Sequence, residues 1–453
     1  MPHTFDAILV GAGQAAPSLA HRLVASGMKI AFAERKLFGG TCVNNGCIPT
    51  KAWVASAHAA YQSRRAWEFG IEVSGPVATD MARVKSRKDE IVKESHDGVE
   101  QGLRNLKGCT VFDGTAAFEG PHQMRVGDQI LEAPQIFLNL GARAMIPNIA
   151  GLSETKYLTN VSILQLDTLP DHLIILGGSF VALEFAQIFR RLGSDVTILQ
   201  RGPRLLTRED EDVAAAIAAI FAKEGIEVLT GVRPTEVKHH WRGVEVVWPE
   251  GAVDGSHLLV ATGRRPNTDD LQAERAGITL NKEGFIQVND VLEAAPGIWA
   301  IGDCNGHGAF THTSYNDFEI VAANLLDKEN RKVTDRITAY NLYVDPPLGR
   351  CGLSEAQVRA SGKPALKGVR PMTRVTRARL KGETQGFLKV LVDKESGLIL
   401  GASLLGVGCD EVVHCLLDVM YARKPYTLLT HAVHSHPTVS ELIPTVLEDL
   451  QPL

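Results

Sequence analysis

Two glycine-rich turns, each placed between a short apolar run and a helical stretch, constrain this chain more than any other feature. Phe5 to Val10 reads as a buried parallel strand, Gly11-Ala12-Gly13-Gln14-Ala15-Ala16 as the turn, and the residues through Val24 as a helix. Lys29 to Ala33 is the next strand, ending at Glu34. The βαβ pattern returns about 165 residues later, with His172 to Leu176, the turn Gly177-Gly178-Ser179-Phe180-Val181-Ala182, Leu183 to Leu192 and Val196 to Leu199. Two such units predict an α/β chain with two Rossmann-like dinucleotide-binding domains, not an array of repeats.

Between and after these units the pattern changes. Tyr61 to Lys107 reads as helical and charged, and Gly108 to Leu140 as short strands. Strands follow near Glu227 to Leu229, Gly243 to Trp248 and Leu258 to Ala261, and Ala294 to Cys304 reads as one buried strand. From Tyr340 onward, strands such as Gly386 to Val392 and Leu398 to Leu405 precede helices over Asp410 to Ala422 and Thr438 to Leu450. This block predicts a third, α+β domain.

The net charge of -5 offers no basic footprint for nucleic acid or an anionic membrane, so the expected partners are small molecules or a second copy. Met1 to Phe5 carry no basic leader, and the apolar stretch Val213 to Ala222 falls short of a membrane span, so a cytoplasmic protein is expected. Seven cysteines in 453 residues are too sparse for a disulfide scaffold. A close cysteine pair therefore asks for a redox or metal explanation.

In the first turn, Gly11, Gly13 and Ala16 fill the three small positions of a dinucleotide fingerprint, and Glu34 stands where a ribose-binding carboxylate belongs. In the second, Gly177 is followed by Ser179 at the usual middle glycine. After its second strand, Gln200-Arg201 replaces that acidic residue, with Arg204 and Arg208 close behind. Arginine pairs a 2′-phosphate that a carboxylate would repel, which favours NADP over NAD; a solvated loop is the other reading.

Cys42 and Cys47 lie in Gly39-Gly40-Thr41-Cys42-Val43-Asn44-Asn45-Gly46-Cys47-Ile48-Pro49-Thr50-Lys51. Five residues of undistorted helix separate Cα atoms by about 8 to 9 Å, and a disulfide needs less than about 7 Å. If these cysteines bond, the segment is bent, and Asn44, Asn45 and Gly46 tolerate unusual φ. Pro49 suits the first turn of a helix whose positive end would favour a thiolate at Cys47. Two unrelated buried thiols, or half of a zinc site, are the competing readings; no second matching pair accompanies the C-x4-C spacing. Near the other end, His436 and Glu441 offer a proton-transfer imidazole and a carboxylate to orient it.

Taken together, these segments resemble the FAD-dependent pyridine nucleotide disulfide oxidoreductases, the family of glutathione reductase, lipoamide dehydrogenase and mercuric reductase. The resemblance runs through Gly39 to Lys51, Ala261-Thr262-Gly263-Arg264-Arg265-Pro266-Asn267, Gly302-Asp303, Asp345-Pro346-Pro347-Leu348-Gly349 and His436-Pro437-Thr438. It implies FAD domain parts at 1–142 and 266–336, an NADPH domain at 143–265 and an interface domain at 337–453. It further implies that Asp303 binds the FAD ribitol, Gly114 lies near the adenosine, and Lys51 pairs with Glu184 beside the flavin. NADPH would reduce FAD, and electrons would pass through Cys47 and Cys42 to a disulfide substrate. His436 would come from the second subunit of a homodimer.

Departures narrow the membership. Asn139-Leu140-Gly141 replaces the usual Ala-Thr-Gly, Gln200 argues against a dihydrolipoamide dehydrogenase, and His21 and Glu319 stand where glutathione reductases place substrate arginines. The sequence shows no vicinal cysteine pair after Glu441 and has His436 where mercuric reductases carry tyrosine. It is most similar to mercuric-reductase-like flavoproteins without that tail, which makes a mercuric or cupric ion the alternative substrate. A nucleotide-binding regulator with oxidant-sensing cysteines is the reading from a different class. Arg374, Arg377, Arg379 and Lys381 read as a solvated strand or loop, His414, Cys409 and Cys415 as interior helix residues, and Cys109, Cys304 and Cys351 as packing thiols.

Overall fold

The computed structural model describes residues 2–453 and resolves into two compact units. The first comprises Met1–Ala52, Lys85–Ile146 and Gly263–Arg336, its opening residue lying outside the described range. Its main sheet runs in the order Glu293–Ala295, Ile298–Ala300, Gln135–Leu138, Ala7–Val10, Ile30–Glu34, Cys109–Asp113. All pairs are parallel except the first. Ala7–Val10 lies fully buried between two neighbours, which is why four consecutive apolar residues form it without alternation. On one face, Leu19 and Leu23 of the helix Ala16–Ala25 join Phe318 and Val321 of the helix Thr311–Leu326 in one core.

The second unit comprises Trp53–Val84, Pro147–Thr262 and Ile337–Leu453. A parallel sheet orders Glu227–Thr230, Asp195–Gln200, His172–Leu176 and His257–Val260. A three-stranded antiparallel sheet spans Glu236–His240, Gly243–Trp248 and Gly251–Gly255. The C-terminal block is a six-stranded antiparallel sheet packed against the helix Cys409–Tyr421. Among the described residues no helix is long and apolar enough to cross a membrane.

Several expected elements are divided, each at a residue that breaks regular structure. Ala294 to Cys304 is not one strand: Pro296-Gly297, with Gly297 at φ +74°, turns Glu293–Ala295 back against Ile298–Ala300, and a 3-10 turn follows over Gly302–Asn305. Thr438 to Leu450 is not one helix, because Pro444 starts a new one at Ile443–Glu448 after a 3-10 turn. Tyr61 to Lys107 is interrupted between the helices Cys47–Arg64 and Met81–Arg104, where Gly70, Gly75 and Pro76 fall. The basic stretch forms a short helix, Thr376–Leu380, seated through buried Ala378. Of the three residues expected inside the helix Cys409–Tyr421, Cys409 is interior: Val412, Val413, Leu416 and Val419 share its face, which leaves His414 exposed and Cys415 half-buried.

Candidate active site

The cysteine segment is anchored to the first glycine-rich turn. Gly39 N donates to Ala12 O at 2.9 Å, and Gln14 Nε2 donates to Gly39 O at 3.1 Å. Gly40 has φ +61°, and a Cβ there would stand 2.9 Å from Gly13 Cα. The helix Gly40–Asn45 carries Cys42, and the helix Cys47–Arg64 opens on Cys47. The bend lies at Gly46 alone, where a Cβ would meet Thr41 O at 2.9 Å; Asn44 and Asn45 stay helical. Asn44 instead fixes the segment by donating to Phe38 O at 2.8 Å and Gly40 O at 2.9 Å.

The bend brings the two sulfurs into hydrogen-bonding contact, with Cys47 exposed and Cys42 partly buried. The hydrogen bond with Cys47 and burial together push the Cys42 thiol far above its ordinary range, against the opposing pull of Thr311 and Lys51. Thr311, the first residue of Thr311–Leu326, also places Oγ1 3.2 Å from Cys47 Sγ. The same helix holds the Gly302-Asp303 turn, because buried Asp317 accepts from Gly302 N at 2.8 Å and Asn305 Nδ2 at 2.9 Å. Thr311 is not among the site residues read from the sequence, although it stands in the segment 308–315 that carries part of the family resemblance, soon after Gly302-Asp303.

Around the first turn, a Cβ at Gly11 would stand 2.4 Å from Asn139 O, and one at Gly13 would stand 2.8 Å from Asn139 Nδ2. Asn139 thus fills the space behind the turn, and Ala16 is buried where the helix begins. Glu34 accepts from Ala12 N at 2.7 Å and from Lys36 N at 2.8 Å, while Gly114 N donates to Glu34 O at 2.8 Å. Asp303 lies 3.2 Å from Arg264; burial raises its carboxyl, and Arg264 opposes that rise. A backbone cradle with no room for side chains, at the start of a helix, fits the pyrophosphate of FAD.

In the second unit, Gly177 has φ +115°, and a Cβ there would meet Ala261 O at 2.3 Å. Arg201 and Arg208 are exposed. Arg204 is not available in the same way: its guanidinium turns back to donate to Thr207 O at 3.4 Å and Glu209 O at 3.0 Å. Glu184 is buried and accepts from Tyr343 N at 3.1 Å. Lys51 and Gly263 belong to the first unit and Glu184 to the second.

His436 presents an exposed imidazole, with Nδ1 2.9 and 3.1 Å from the two carboxylate oxygens of Glu441. Thr438 Oγ1 links the two, donating to Ser435 O at 2.8 Å and accepting from Glu441 N at 3.2 Å. With Nδ1–H directed at the carboxylate, Nε2 is the nitrogen left to exchange a proton. The remaining thiols differ. Cys304 and Cys351 are buried and pushed up to about 12, Cys409 is buried and pushed higher, and partly buried Cys109 is raised to about 11.

The chain matches the pyridine nucleotide-disulphide oxidoreductase family over residues 5–317 and that family's dimerisation domain over 338–447. It is 36% identical to the probable pyridine nucleotide-disulfide oxidoreductase RclA of Escherichia coli over 446 residues, 96% of this chain and 97% of that protein. It is 33% identical to a mercuric reductase of Streptomyces lividans, covering 97% of this chain and 95% of the other. The solved HOCl-induced flavoprotein disulfide reductase RclA from E. coli, also solved as a Cu(II) complex, is similar at a TM-score of 0.91 and 34% identity, covering 98% of this chain and 99% of that one. The chain belongs to the pyridine nucleotide-disulphide oxidoreductases, flavoproteins with a redox disulfide and a dimerisation domain.

Proposed function

We propose that this chain is an NADPH-dependent reductase whose Cys42–Cys47 pair delivers two electrons to a small disulfide substrate. In this reading residues 1–142 and 266–336 hold FAD, 143–265 hold NADPH and 337–453 form the interface of a homodimer. FAD, when bound, supplies two-electron transfer between the nicotinamide and the sulfur pair. Gly11, Gly13, Ala16, Glu34, Gly114, Gly263 and Asp303 serve the flavin nucleotide, Gly177 and Arg201 serve NADPH, and Lys51 and Glu184 act beside the flavin.

The observation that carries this reading is the hydrogen-bonded sulfur pair at the start of an 18-residue helix, with Thr311 against it. Helix amides and Thr311 favour negative charge on Cys47, while Cys42 keeps its proton until a base removes it. His436, supplied by the partner copy and oriented by Glu441, takes that proton. The Cys42 thiolate attacks one sulfur of the substrate, forming a mixed disulfide, and the first product thiol leaves with the proton from His436. The Cys47 thiolate then attacks Cys42 sulfur, restoring the intramolecular disulfide and expelling the second product as a thiolate, which takes its proton from solvent.

A second reading has a soft metal ion as substrate, favoured by the similarity to a mercuric reductase and to a protein solved with Cu(II). NADPH oxidation by the holoenzyme, measured across a panel of disulfides and against mercuric and cupric ions, separates the two. Turnover of at least one disulfide supports the reductase; metal turnover with none across the disulfides overturns it.

A further inference from the structure

The strand Asp195–Gln200 leads into residues 201–210, the segment that carries Arg201 and Arg208. The middle of this loop is tied to the second glycine-rich turn, since Leu206 N donates to Gly178 O at 2.8 Å and a Cβ on Gly178 would meet Leu205 at 2.8 Å. Its far end is held by the C-terminal block. Glu209, buried at 3% exposure, accepts from the Tyr340 hydroxyl and lies 3.5 Å from Arg350 Nε. Asp210 accepts from Lys389 Nζ at 2.9 Å and from Glu355 N at 3.2 Å. Asp212, the second residue of the helix Glu211–Lys223, accepts from the same ammonium at 2.7 and 2.9 Å.

Lys389 is the unusual member. Its residue is 0% exposed in the middle of the strand Phe387–Asp393, where a cation without partners would be expelled or neutralised. The acids that hold it come from the end of the loop and the start of the helix after it, with Glu355 at 3.5 Å added from its own block. Tyr340 also packs against Phe180 at 5.4 Å between ring centroids, and Phe180 opens the helix behind the same glycine-rich turn. The helix behind the glycine-rich turn and the far end of the loop therefore both meet residues of the C-terminal block.

We propose that Lys389, Arg350 and Tyr340 are positioning residues for the loop 201–210, so that selection of a 2′-phosphate by Arg201 is set from the dimerisation domain. This inference rests on the NADPH reading above. An arginine discriminates only where its backbone is fixed, because a loop free to retreat places the guanidinium in water for phosphorylated and unphosphorylated cofactor alike.

The test compares holoenzymes carrying Lys389→Met, Lys389→Arg, Tyr340→Phe, Asp212→Asn and Arg201→Ala with wild type, measuring KM and kcat for NADPH and NADH. Lys389→Met should raise the NADPH KM about tenfold, as expected for loss of a charge-assisted contact, with kcat and the NADH KM changed less than about threefold. Lys389→Arg should recover most of the loss. Tyr340→Phe and half-exposed Asp212→Asn, which leave the buried ammonium paired, should move the NADPH KM in the same direction and keep the test decisive if Lys389→Met does not fold. The proposal is overturned if Arg201→Ala abolishes NADPH preference while the clamp variants keep it, or if they weaken both nucleotides equally. If wild type shows no preference or Arg201→Ala leaves it intact, the NADPH reading falls first and takes the clamp's selective role with it.

Discussion

Thr311 Oγ1 stands 3.2 Å from Cys47 Sγ, joining the start of one long helix to the start of another across 264 residues of sequence. A hydroxyl in that place donates to a sulfur anion more strongly than to a thiol. Thr311→Val should therefore raise the pH at which the reduced enzyme develops its thiolate–flavin absorbance by about one unit, the worth of one hydrogen bond to a charged group. Thr311→Ser should restore it. An unchanged titration in the valine variant would remove Thr311 from the site.

Cys42→Ser separates the two halves of the reaction. NADPH should still bleach the flavin at close to the wild-type rate, while disulfide turnover falls below detection, because the serine hydroxyl cannot form the mixed disulfide. Stopped-flow absorbance reads the first half and product thiol the second. Surviving turnover would reassign the attacking sulfur to Cys47.

The His436–Glu441 pair predicts a complementation result. His436→Gln should lower disulfide turnover by about 10²- to 10⁴-fold, the usual contribution of a positioned proton carrier, and leave flavin reduction intact. Glu441→Gln should cost less. Mixed dimers of Cys42→Ser and His436→Gln chains should regain turnover at one of their two sites if the imidazole comes from the partner. Dead mixed dimers would place His436 and Cys42 of one chain in the same site.

Gly40→Ala should lower flavin content. The added methyl meets Gly13 Cα at 2.9 Å, at a φ of +61° that already disfavours side chains by about 1 to 2 kcal/mol. The cysteine helix and the first glycine-rich turn would have to part, and the protein should purify with less than half of wild-type FAD. Full flavin occupancy would show that the turn accommodates the shift.

Acid stability should report on Asp345. Burial alone would raise its carboxyl, but the hydrogen bond with His58 and the charge of buried Arg191 outweigh it and hold it at about 2. The folded value lies below the ordinary 3.8, so about 2 kcal/mol of stabilisation is present above about pH 4 and is lost as pH falls towards 2. Asp345→Asn should lower Tm near neutrality, with the gap to wild type closing in that window. A gap independent of pH would contradict the assignment.

What the sequence disclosed follows from where each signal resides. The glycine-rich turns and Cys42–Cys47 are legible because their backbone demands are local: Gly11 and Gly177 have left-handed φ and approach the carbonyls of Asn139 and Ala261. Pro444 and Pro296-Gly297 were equally local, and an apolar run reads through them only when hydrophobicity outweighs the breaker. Thr311 and Lys389 were illegible for a different reason. Their partners lie 264 and about 180 residues away, and a lysine within Phe387-Leu388-Lys389-Val390-Leu391 reads as an outward strand position until Asp210 and Asp212 are found beside it. Arg204 shows the converse, since an arginine beside two exposed ones looks equivalent in sequence and is spent on carbonyls in the fold.

The burial of Cys304, Cys351 and Cys409 has a chemical consequence when an oxidant is present. Reaction with an electrophile requires thiolate, and a thiol held at about 12 presents almost none at neutral pH. Among the cysteines Cys47 is the exposed one, and in the proposed cycle the disulfide that attack on it would produce with Cys42 is a form visited in every turnover. In that cycle an oxidant that reaches Cys47 would leave behind a resting state instead of a lesion.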